Sequence, residues 1–155
     1  MEATNGNKMG KVVQVMGPVI DVEFKEGGLP PIYTALKLTN PLLNDEEWNL
    51  IVEVAQQLGG NRVRCIAMDA TEGIRRGEDA LNTGEGITVP VGKESLGRIL
   101  NVVGEPIDEM GPVNTAARWP IHREAPEFVE QSTKLELFET GIKVIDLIAP
   151  FLRGG

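Results

Sequence analysis

Hydrophobic and polar residues alternate through much of the first half of the chain, as in β-strands that are buried on one face. Residues 19–24 show this clearly, because three apolar side chains fall on one face and two acids on the other. The β-branched run before them is interrupted by Gly17 and Pro18. The pattern therefore predicts two strands joined by a sharp bend.

The clearest hairpin signal lies between residues 48 and 68. Both halves alternate, and the Gly-Gly-Asn at residues 59–61 supplies residues that tolerate a positive φ in the turn. The second half is predicted to direct one set of side chains inward and the other outward. The inward set is Val63, Cys65 and Ala67, and the outward set is Arg62, Arg64 and Ile66.

Short strands and loops complete this region. Residues 34–39 read as a strand, whereas residues 40–48, 71–78 and 82–91 have the composition of polar connections and turns. Several short strands with no helical pattern between them indicate a small closed β-barrel over residues 10–88.

The sequence changes character near Pro90. An apolar run at residues 99–103 is followed by prolines that indicate an extended connection between modules. These prolines are Pro106, Pro112, Pro120 and Pro126. Residues 89–155 are therefore predicted to hold a linker and the beginning of a second domain.

The strongest helical pattern comes near the end of the sequence. Thr140 is predicted to be the N-cap, and Pro150 to stop the helix. The apolar stripe consists of Ile142, Ile145 and Ala149, with Phe138 just before the helix and Leu152 just after it. One helix cannot bury such a stripe, so we expect the stripe to be partly exposed, the second domain to be cut off, and residues beyond Ile121 to be mobile and protease-sensitive.

Charge and composition exclude some classes of protein. Twenty-three acids against fifteen Lys and Arg give a net charge of −8, which repels a phosphate backbone, so we expect no nucleic-acid partner. A single cysteine forms no internal disulfide, and neither a secretory leader nor a long apolar run is found. We therefore expect a cytoplasmic setting, with membrane contact only through a complex, and a flexible tail at residues 1–9.

The sequence offers no convincing catalytic, cofactor or metal site. VGKE at residues 91–94 lacks the glycine and the hydroxyl of a phosphate loop, because Ile87 and Glu94 hold those positions. The spacings of zinc sites are also missing, since the chain has one histidine and one cysteine. We interpret His122 as a linker side chain that packs or caps locally, and Cys65 as a small buried hydrophobe.

The remaining polar clusters have ordinary explanations. The acids at residues 45–47 and 78–79 lie in polar connections, where we expect them to be solvated. The terminal Arg-Gly-Gly occurs once, with few aromatic residues nearby, and so differs from an RNA-binding tract.

Four stretches together resemble the catalytic beta subunit of F-type ATP synthase. They are VQVMGPVIDVEF, VEVAQQLGGNRVRCIAMDATEGIRRG, VPVGKESLGRILNVVGEPIDEMGP, and IHREAPEF running on to FETGIKVIDLIAPFLRGG. The resemblance covers residues 10–155 in the family's order and close to its spacing. QQLGGNRVRCIAMDATEGIRRG and GIKVIDLIAPFLRGG are more similar to beta subunits than to the non-catalytic alpha subunits, while NPLLNDEEWN and the polar start depart from the pattern where loops vary.

The resemblance implies a mainly β chain, in which a small six-stranded closed barrel is followed by the truncated start of an α/β RecA-like nucleotide-binding domain. The family makes ATP from ADP and phosphate with a transmembrane proton gradient. By resemblance, ATP or ADP and Mg²⁺ are bound by residues after Gly155 or by a neighbouring subunit. We therefore expect no catalytic, cofactor-binding or metal-binding residue here, and no activity from these residues alone.

The resemblance also implies partners and a location. The expected partners are alpha subunits in an alternating alpha/beta hexamer, the central-stalk gamma subunit and other synthase subunits. The outward residues around Arg62 and Arg64, and the turn TEGIRRG with Arg75 and Arg76, are hypothesised to contact neighbouring barrels. The expected location is the cytoplasmic face of the bacterial plasma membrane, with the thylakoid membrane as the alternative.

Other classes of function remain open at this stage. One is a non-catalytic or specialised relative, such as an alpha subunit or a secretion ATPase, which the residues after Gly155 would distinguish. Another is a stand-alone barrel that binds an oligomer, although the acidic balance and the presence of only two Trp, one Tyr and four Phe argue against it. A purely structural fragment is the third.

Overall fold

The computed structural model describes residues 9–25, 27–130 and 134–154. These residues form two compact units, which divide between His122 and Arg123. Residues 1–8 of the predicted tail lie outside the described residues, and Met9 already belongs to the first strand.

Six antiparallel strands close into a barrel in the first unit. They are β1 (Met9–Met16), β2 (Val19–Phe24), β3 (Thr34–Leu38), β4 (Leu50–Gly59), β5 (Arg62–Ala67) and β6 (Asp79–Gly86). Around the barrel the order is β1, β2, β5, β4, β3 and β6, which pairs again with β1. The predicted six-stranded closed barrel is therefore confirmed.

The barrel interior is filled by the apolar residues that the alternation directs inward. The core cluster comprises Val12, Ile20, Val22, Phe24, Leu36, Leu38, Leu50, Val52, Val54, Val63, Cys65, Ile74 and Ala80. Gly10 shows how closely the interior is packed, since a Cβ there would lie 2.6 Å from Val22 Cγ1 and 2.8 Å from Phe24 Cζ. Burial of this apolar surface is the main force that holds the barrel together.

The two turns that the sequence predicts around β2 and β5 are confirmed. The bend between β1 and β2 has Gly17 at φ 56°. The β4–β5 hairpin turns at Gly59, Gly60 and Asn61, which have φ values of 82°, 57° and 60°. A turn with this sequence of positive φ angles is easily adopted by Gly and Asn, which is why the sequence signal is reliable here.

The prediction of turns at residues 82–91 is wrong, because residues 82–86 and residues 88–91 both lie in strands. Residues 82–86, NTGEG, belong to β6, although Asn and Gly are poor strand formers. The strand extends over these residues because β3 pairs with them, while β1 pairs with residues 79–81 at the start of β6. The Thr83 hydroxyl adds a bond, donating to the Ala35 carbonyl oxygen at 2.7 Å.

Residues 88–120 fold back on themselves, so the extended connection predicted for this part of the chain is wrong. Strand β7 (Thr88–Val91) pairs antiparallel with β8 (Ala117–Pro120), and Leu100 forms an isolated bridge with Pro106. Proline has no backbone N–H to donate. Pro90 and Pro120 are tolerated because each strand of a two-stranded sheet has one unpaired edge, and a proline whose nitrogen faces that edge removes no hydrogen bond between the strands.

The turn between residues 98 and 111 is organised by an enclosed ion pair. Arg98 Nε lies 2.6 Å from Asp108 Oδ2, and Arg98 Nη2 lies 2.9 Å from Asp108 Oδ1. The backbone N–H groups of Ile99 and Met110 also donate to this carboxylate. The hydrogen bond from Arg98, followed by the two backbone bonds, holds the pKa of Asp108 well below its usual range.

Asp108→Asn should loosen this turn at neutral pH. Because the folded-state pKa is lowered, the ionised carboxylate stabilises the turn at every pH above its ordinary value of about 4, and this contribution is lost only as the pH falls through the lower folded value. The protection factor of the Ile107 amide, which donates to the Ile99 carbonyl oxygen, reports the turn. We expect the same difference between wild type and variant at pH 8 and pH 5, and a smaller one in strong acid.

The exposed neighbour Glu109 provides the matched control for this experiment. Glu109→Gln removes an acid from the same turn without touching Arg98, so Ile107 protection should be unchanged. An Asp108→Asn variant with wild-type protection at pH 8 would show that the ion pair does not hold the turn.

The described residues of the second unit include a short α-helix, α1 (Lys143–Ile148), between strands β9 (Leu137–Phe138) and β10 (Phe151–Leu152), which pair antiparallel. The prediction that Thr140 is the N-cap is wrong, because Ile142 holds that position. Gly141, at φ 78°, turns the chain between Thr140 and the helix, so the first helical residue comes later than predicted. The helix ends just before Pro150, as predicted.

Asp146 organises the start of α1 from within the helix. Its carboxylate accepts hydrogen bonds from the Thr140 hydroxyl at 2.6 Å, from the Thr140 backbone N–H at 3.0 Å and from the Gly141 N–H at 2.9 Å. These bonds, the hydroxyl first among them, lower the pKa of Asp146. The Thr140 hydroxyl in turn accepts from the Ile142 N–H, so Thr140 supports the helix start without being its N-cap.

The predicted apolar stripe is partly exposed in the structure, as expected. Phe138 and Ile142 each expose 53% of their surface and Leu152 exposes 46%. The mobility of residues beyond Ile121 and the RecA-like character of this unit stay predictions. In the described part of the chain, no helix has the length and apolar character needed to cross a membrane.

Candidate functional site

Charged side chains form a ladder on the outer face of β2 and β5. The strand register places Asp21 opposite Arg64 and Glu23 opposite Arg62. Arg64 Nε lies 2.8 Å from Asp21 Oδ1 and its Nη2 lies 2.9 Å from Oδ2, while Arg62 Nε lies 3.1 Å from Glu23 Oε1. Opposite charges that face each other directly across a strand pair stabilise the sheet.

The ladder leaves little net charge for another molecule. Asp21 points outward but is almost fully buried, because the Arg64 guanidinium covers it with two parallel bonds. The same hydrogen bonds raise the pKa of Arg64. Both arginines of the ladder, Arg62 and Arg64, are thus balanced by carboxylates of their own barrel, which weakens the hypothesis that their charges contact neighbours.

Residues 71–78, here called the arginine turn, are held rigidly at one end of the barrel. Ile74 inserts into the core cluster, the Gly77 N–H donates to the Val12 carbonyl oxygen at 2.7 Å, and the Thr71 hydroxyl donates to the Gly17 carbonyl oxygen at 2.8 Å. Gly73, at φ 97°, packs so closely on Leu42 that a Cβ would lie 2.9 Å from its Cδ1. The turn therefore has few alternatives to its observed conformation.

Arg75 and Arg76 are the exposed cations of this turn, which also carries Glu72 and Glu78. Both arginines are exposed, and the described residues give neither side chain an ion-pair partner. Arg76 also lines a shallow concavity of about 500 Å³. Its other lining residues are Val13, Gln14, Asp21, Leu58, Gly59, Gly60 and Arg62. An unpaired guanidinium on a rigid turn is well suited to bind a carboxylate of another molecule.

The other residues singled out in the sequence do not come together as a site. Lys93 and Glu94 lie in an exposed 3₁₀ turn. Asp79 pairs with Lys11 at 2.7 Å, and residues 45–47 are exposed. Among residues 9–25, 27–130 and 134–154, no group of His, Cys, Asp and Glu is placed to hold a metal ion.

Cys65 is a buried core residue, as predicted. Burial, followed by the negative charge of Asp21, raises the pKa of its thiol to about 12. A thiol that stays protonated is a poor nucleophile, so this side chain acts as a small hydrophobe.

His122 makes contacts that the sequence did not reveal. Its ring nitrogen Nε2 bonds the carboxylate of Glu53, and its ring stacks on Tyr33. The prediction of a locally packing side chain is wrong, because Glu53 lies 69 residues away in sequence. No local sequence pattern predicts this contact, because it depends on where β8 places His122 against the barrel.

The geometry defines a small closed antiparallel β-barrel domain that presents a rigid charged turn. Residues 12–84 match the family model of the beta-barrel domain of the ATP synthase alpha/beta family. The barrel of this chain is therefore similar to the barrel domain of that family, which agrees with the resemblance found in the sequence.

Proposed function

We propose that this chain is part of the catalytic beta subunit of a rotary F-type ATP synthase, and that its barrel assembles the alternating alpha/beta hexamer. The observation that carries the proposal is the closed barrel whose residues 12–84 match the family's barrel domain. The beta assignment rests on the stretches QQLGGNRVRCIAMDATEGIRRG and GIKVIDLIAPFLRGG, which are similar to beta subunits.

A closed barrel is physically suited to an assembly role. Closure leaves no strand edge that would pair indiscriminately with other chains, so contacts must come from outward side chains. The arginine turn supplies such side chains, because the described residues give Arg75 and Arg76 no ion-pair partner and the backbone that carries them is already held in place. In the proposal, alpha subunits supply the matching carboxylates, and gamma and the other synthase subunits complete the complex.

The chemistry of ATP synthesis lies outside this barrel in the proposal. Phosphate transfer needs a cradle of backbone N–H groups with a lysine, and a hydroxyl for Mg²⁺. The described residues do not fit this need, since Lys93 is followed by Glu94 and the two lie in an exposed turn. We therefore assign ATP, ADP and Mg²⁺ to the RecA-like domain that follows the barrel in this family, and the complex to the cytoplasmic face of a bacterial membrane.

The first test is to read the parent gene for about thirty codons beyond Gly155, a span that would include the pattern G-x-x-x-x-G-K-[ST]. The proposal expects that pattern there, together with ATP hydrolysis by the full subunit in its assembled complex. A stop codon, or the altered loop of a non-catalytic alpha subunit, would contradict the catalytic assignment while leaving the barrel's family unchanged.

Reversing both charges of the arginine turn should impair assembly. For Arg75→Glu with Arg76→Glu we expect association with alpha subunits to weaken about tenfold at low salt, and less at high salt, because exposed charge pairs are screened. The measurement is hexamer yield by size-exclusion chromatography of the coexpressed full subunits. Barrel stability should be unchanged, since neither side chain has an ion-pair partner within the described chain.

Lys93→Glu is the matched control, because it reverses an exposed charge in the 3₁₀ turn of the same unit. It should leave assembly intact. Wild-type hexamer yield from the doubly reversed variant at low salt would count against the arginine turn as an interface.

A further inference from the structure

Three side chains from separate parts of the first unit meet beside β4. His122 follows β8, Glu53 lies on β4, and Tyr33 immediately precedes β3. His122 Nε2 lies 2.9 Å and 3.0 Å from the two carboxylate oxygens of Glu53. The imidazole also stacks on the Tyr33 ring, with centroids 3.9 Å apart and planes 25° apart.

Glu53 depends on His122 for its hydrogen bonding. Only 12% of the Glu53 side chain is exposed, and the described residues give its carboxylate no hydrogen bond other than those with His122. A carboxylate that is largely removed from water is costly unless it is paired. The contact therefore holds His122 in place, because Glu53 would lose its partner if His122 left.

Tyr33 is held in an unusual backbone conformation that presents its ring to His122. Its φ of 69° is rare for a bulky residue and persists only where neighbouring structure enforces it. Here the Tyr33 N–H donates to the Val54 carbonyl oxygen at 2.8 Å, while the next residue, Thr34, pairs with Gly86 of β6. The barrel itself thus fixes both residues that contact His122.

The segment that His122 ends has weak support of its own. Residues 117–122, here called the strap, are all exposed, and β8 has β7 as its strand partner. Ile121 adds one hydrogen bond, from its N–H to the Ile87 carbonyl oxygen at 3.0 Å. Arg118 Nη2 also donates to the Thr88 carbonyl oxygen at 2.8 Å. Because β8 contributes no buried side chain and a two-stranded sheet is marginally stable in water, a further attachment stabilises the strap.

We infer that His122, Glu53 and Tyr33 form a clasp that fastens the strap to the barrel, and that the strap opens as a unit separate from the barrel. With the clasp closed, the point at which the chain is fixed to the first unit is His122. With the clasp open, the strap is held to the first unit by its pairing with β7 and by the bond from Arg118 Nη2 to the Thr88 carbonyl oxygen, and when these also open the chain is fixed at Thr115, whose hydroxyl bonds the Val91 carbonyl oxygen. The clasp thus controls how much chain is free to move ahead of Arg123.

Amide hydrogen exchange, followed by NMR on the chain of this sequence, tests the inference. The reporter is the Ile121 N–H in the strap, and the barrel reference is the Phe24 N–H, which donates to the Asn61 carbonyl oxygen at 2.8 Å. In His122→Phe, which keeps an aromatic ring but loses the bond to Glu53, we expect Ile121 to exchange about tenfold faster. Phe24 should exchange at the wild-type rate.

Three further variants make the test specific. Glu53→Gln keeps the shape but removes the charge, and should accelerate Ile121 exchange about threefold. The double variant with His122→Phe should be no faster than His122→Phe alone, because Glu53 acts through His122. Tyr33→Phe preserves the stacked ring and should have no effect.

Two results would overturn the inference. Unchanged Ile121 exchange in His122→Phe would show that the contact does not fasten the strap. Equal acceleration at Ile121 and Phe24 would show that the strap opens only when the whole barrel unfolds.

Discussion

Leu36→Ala should lower the free energy of unfolding of the barrel by about 2–5 kcal/mol. Leu36 lies on β3, is 0% exposed, and pairs with Val52 of β4 on one side and Asn82 of β6 on the other. The truncation loses the transfer energy of the removed carbons and leaves a cavity. Because β3 is paired on both sides, with β4 and with β6, the closed barrel has little freedom to collapse into the cavity.

Denaturant unfolding of the variant measures this effect, and Lys37→Ala is its matched control. Lys37 is the next residue of the same strand but points outward and is half-buried, so its truncation should cost less than about 1 kcal/mol. A Leu36→Ala variant that unfolds at the wild-type midpoint would mean that the barrel interior is not the source of stability.

Asn40→Ala should destabilise the barrel by about 2–4 kcal/mol, through lost hydrogen bonds and not through lost volume. Asn40 is 0% exposed, its Nδ2 donates to the Ala70 carbonyl oxygen at 2.9 Å, and its Oδ1 accepts from the Leu42 N–H at 3.0 Å. Alanine satisfies neither group. A polar group buried without a partner costs more than the hydrogen bond itself contributed.

The same loop offers a control for this prediction. Asn44 also bonds within the loop, since its Oδ1 accepts from the Glu46 N–H and from Asn49 Nδ2, but it is exposed and water can replace those bonds. Asn44→Ala should therefore cost less than about 1 kcal/mol. Comparable destabilisation by both variants, measured by denaturant unfolding with equal m-values, would contradict the role assigned to Asn40.

Local alternation was enough to predict the inward face of β2 and β5, because a strand buried on one side repeats every two residues. The turn at residues 59–61 was predictable for a similarly local reason. β6 was not predictable over residues 82–86, since their strand character comes from pairing with β3 and not from the residues NTGEG themselves. Sequence propensity is a weak guide where tertiary pairing supplies the hydrogen bonds.

The sequence pattern did not predict the buried polar contacts either, but for a different reason. Residues 40–48 read as a polar connection, and nothing in their composition separates the buried Asn40 from the exposed Asn44. The bond between His122 and Glu53 joins residues 69 apart, so it depends on the path of β7 and β8. The expectation that these residues hold no catalytic constellation rests on residue types alone and stays a prediction.

The pairing of β1 with β6 closes the barrel and also determines where its ends lie. Met9 is opposite Leu81, and β6 ends at Gly86, so the first and last strands run side by side. A domain whose two ends are neighbours can be joined to other domains without threading the chain through its interior. The residues that follow β6 can therefore change in sequence without altering the pairing of β1 with β6 that closes the barrel.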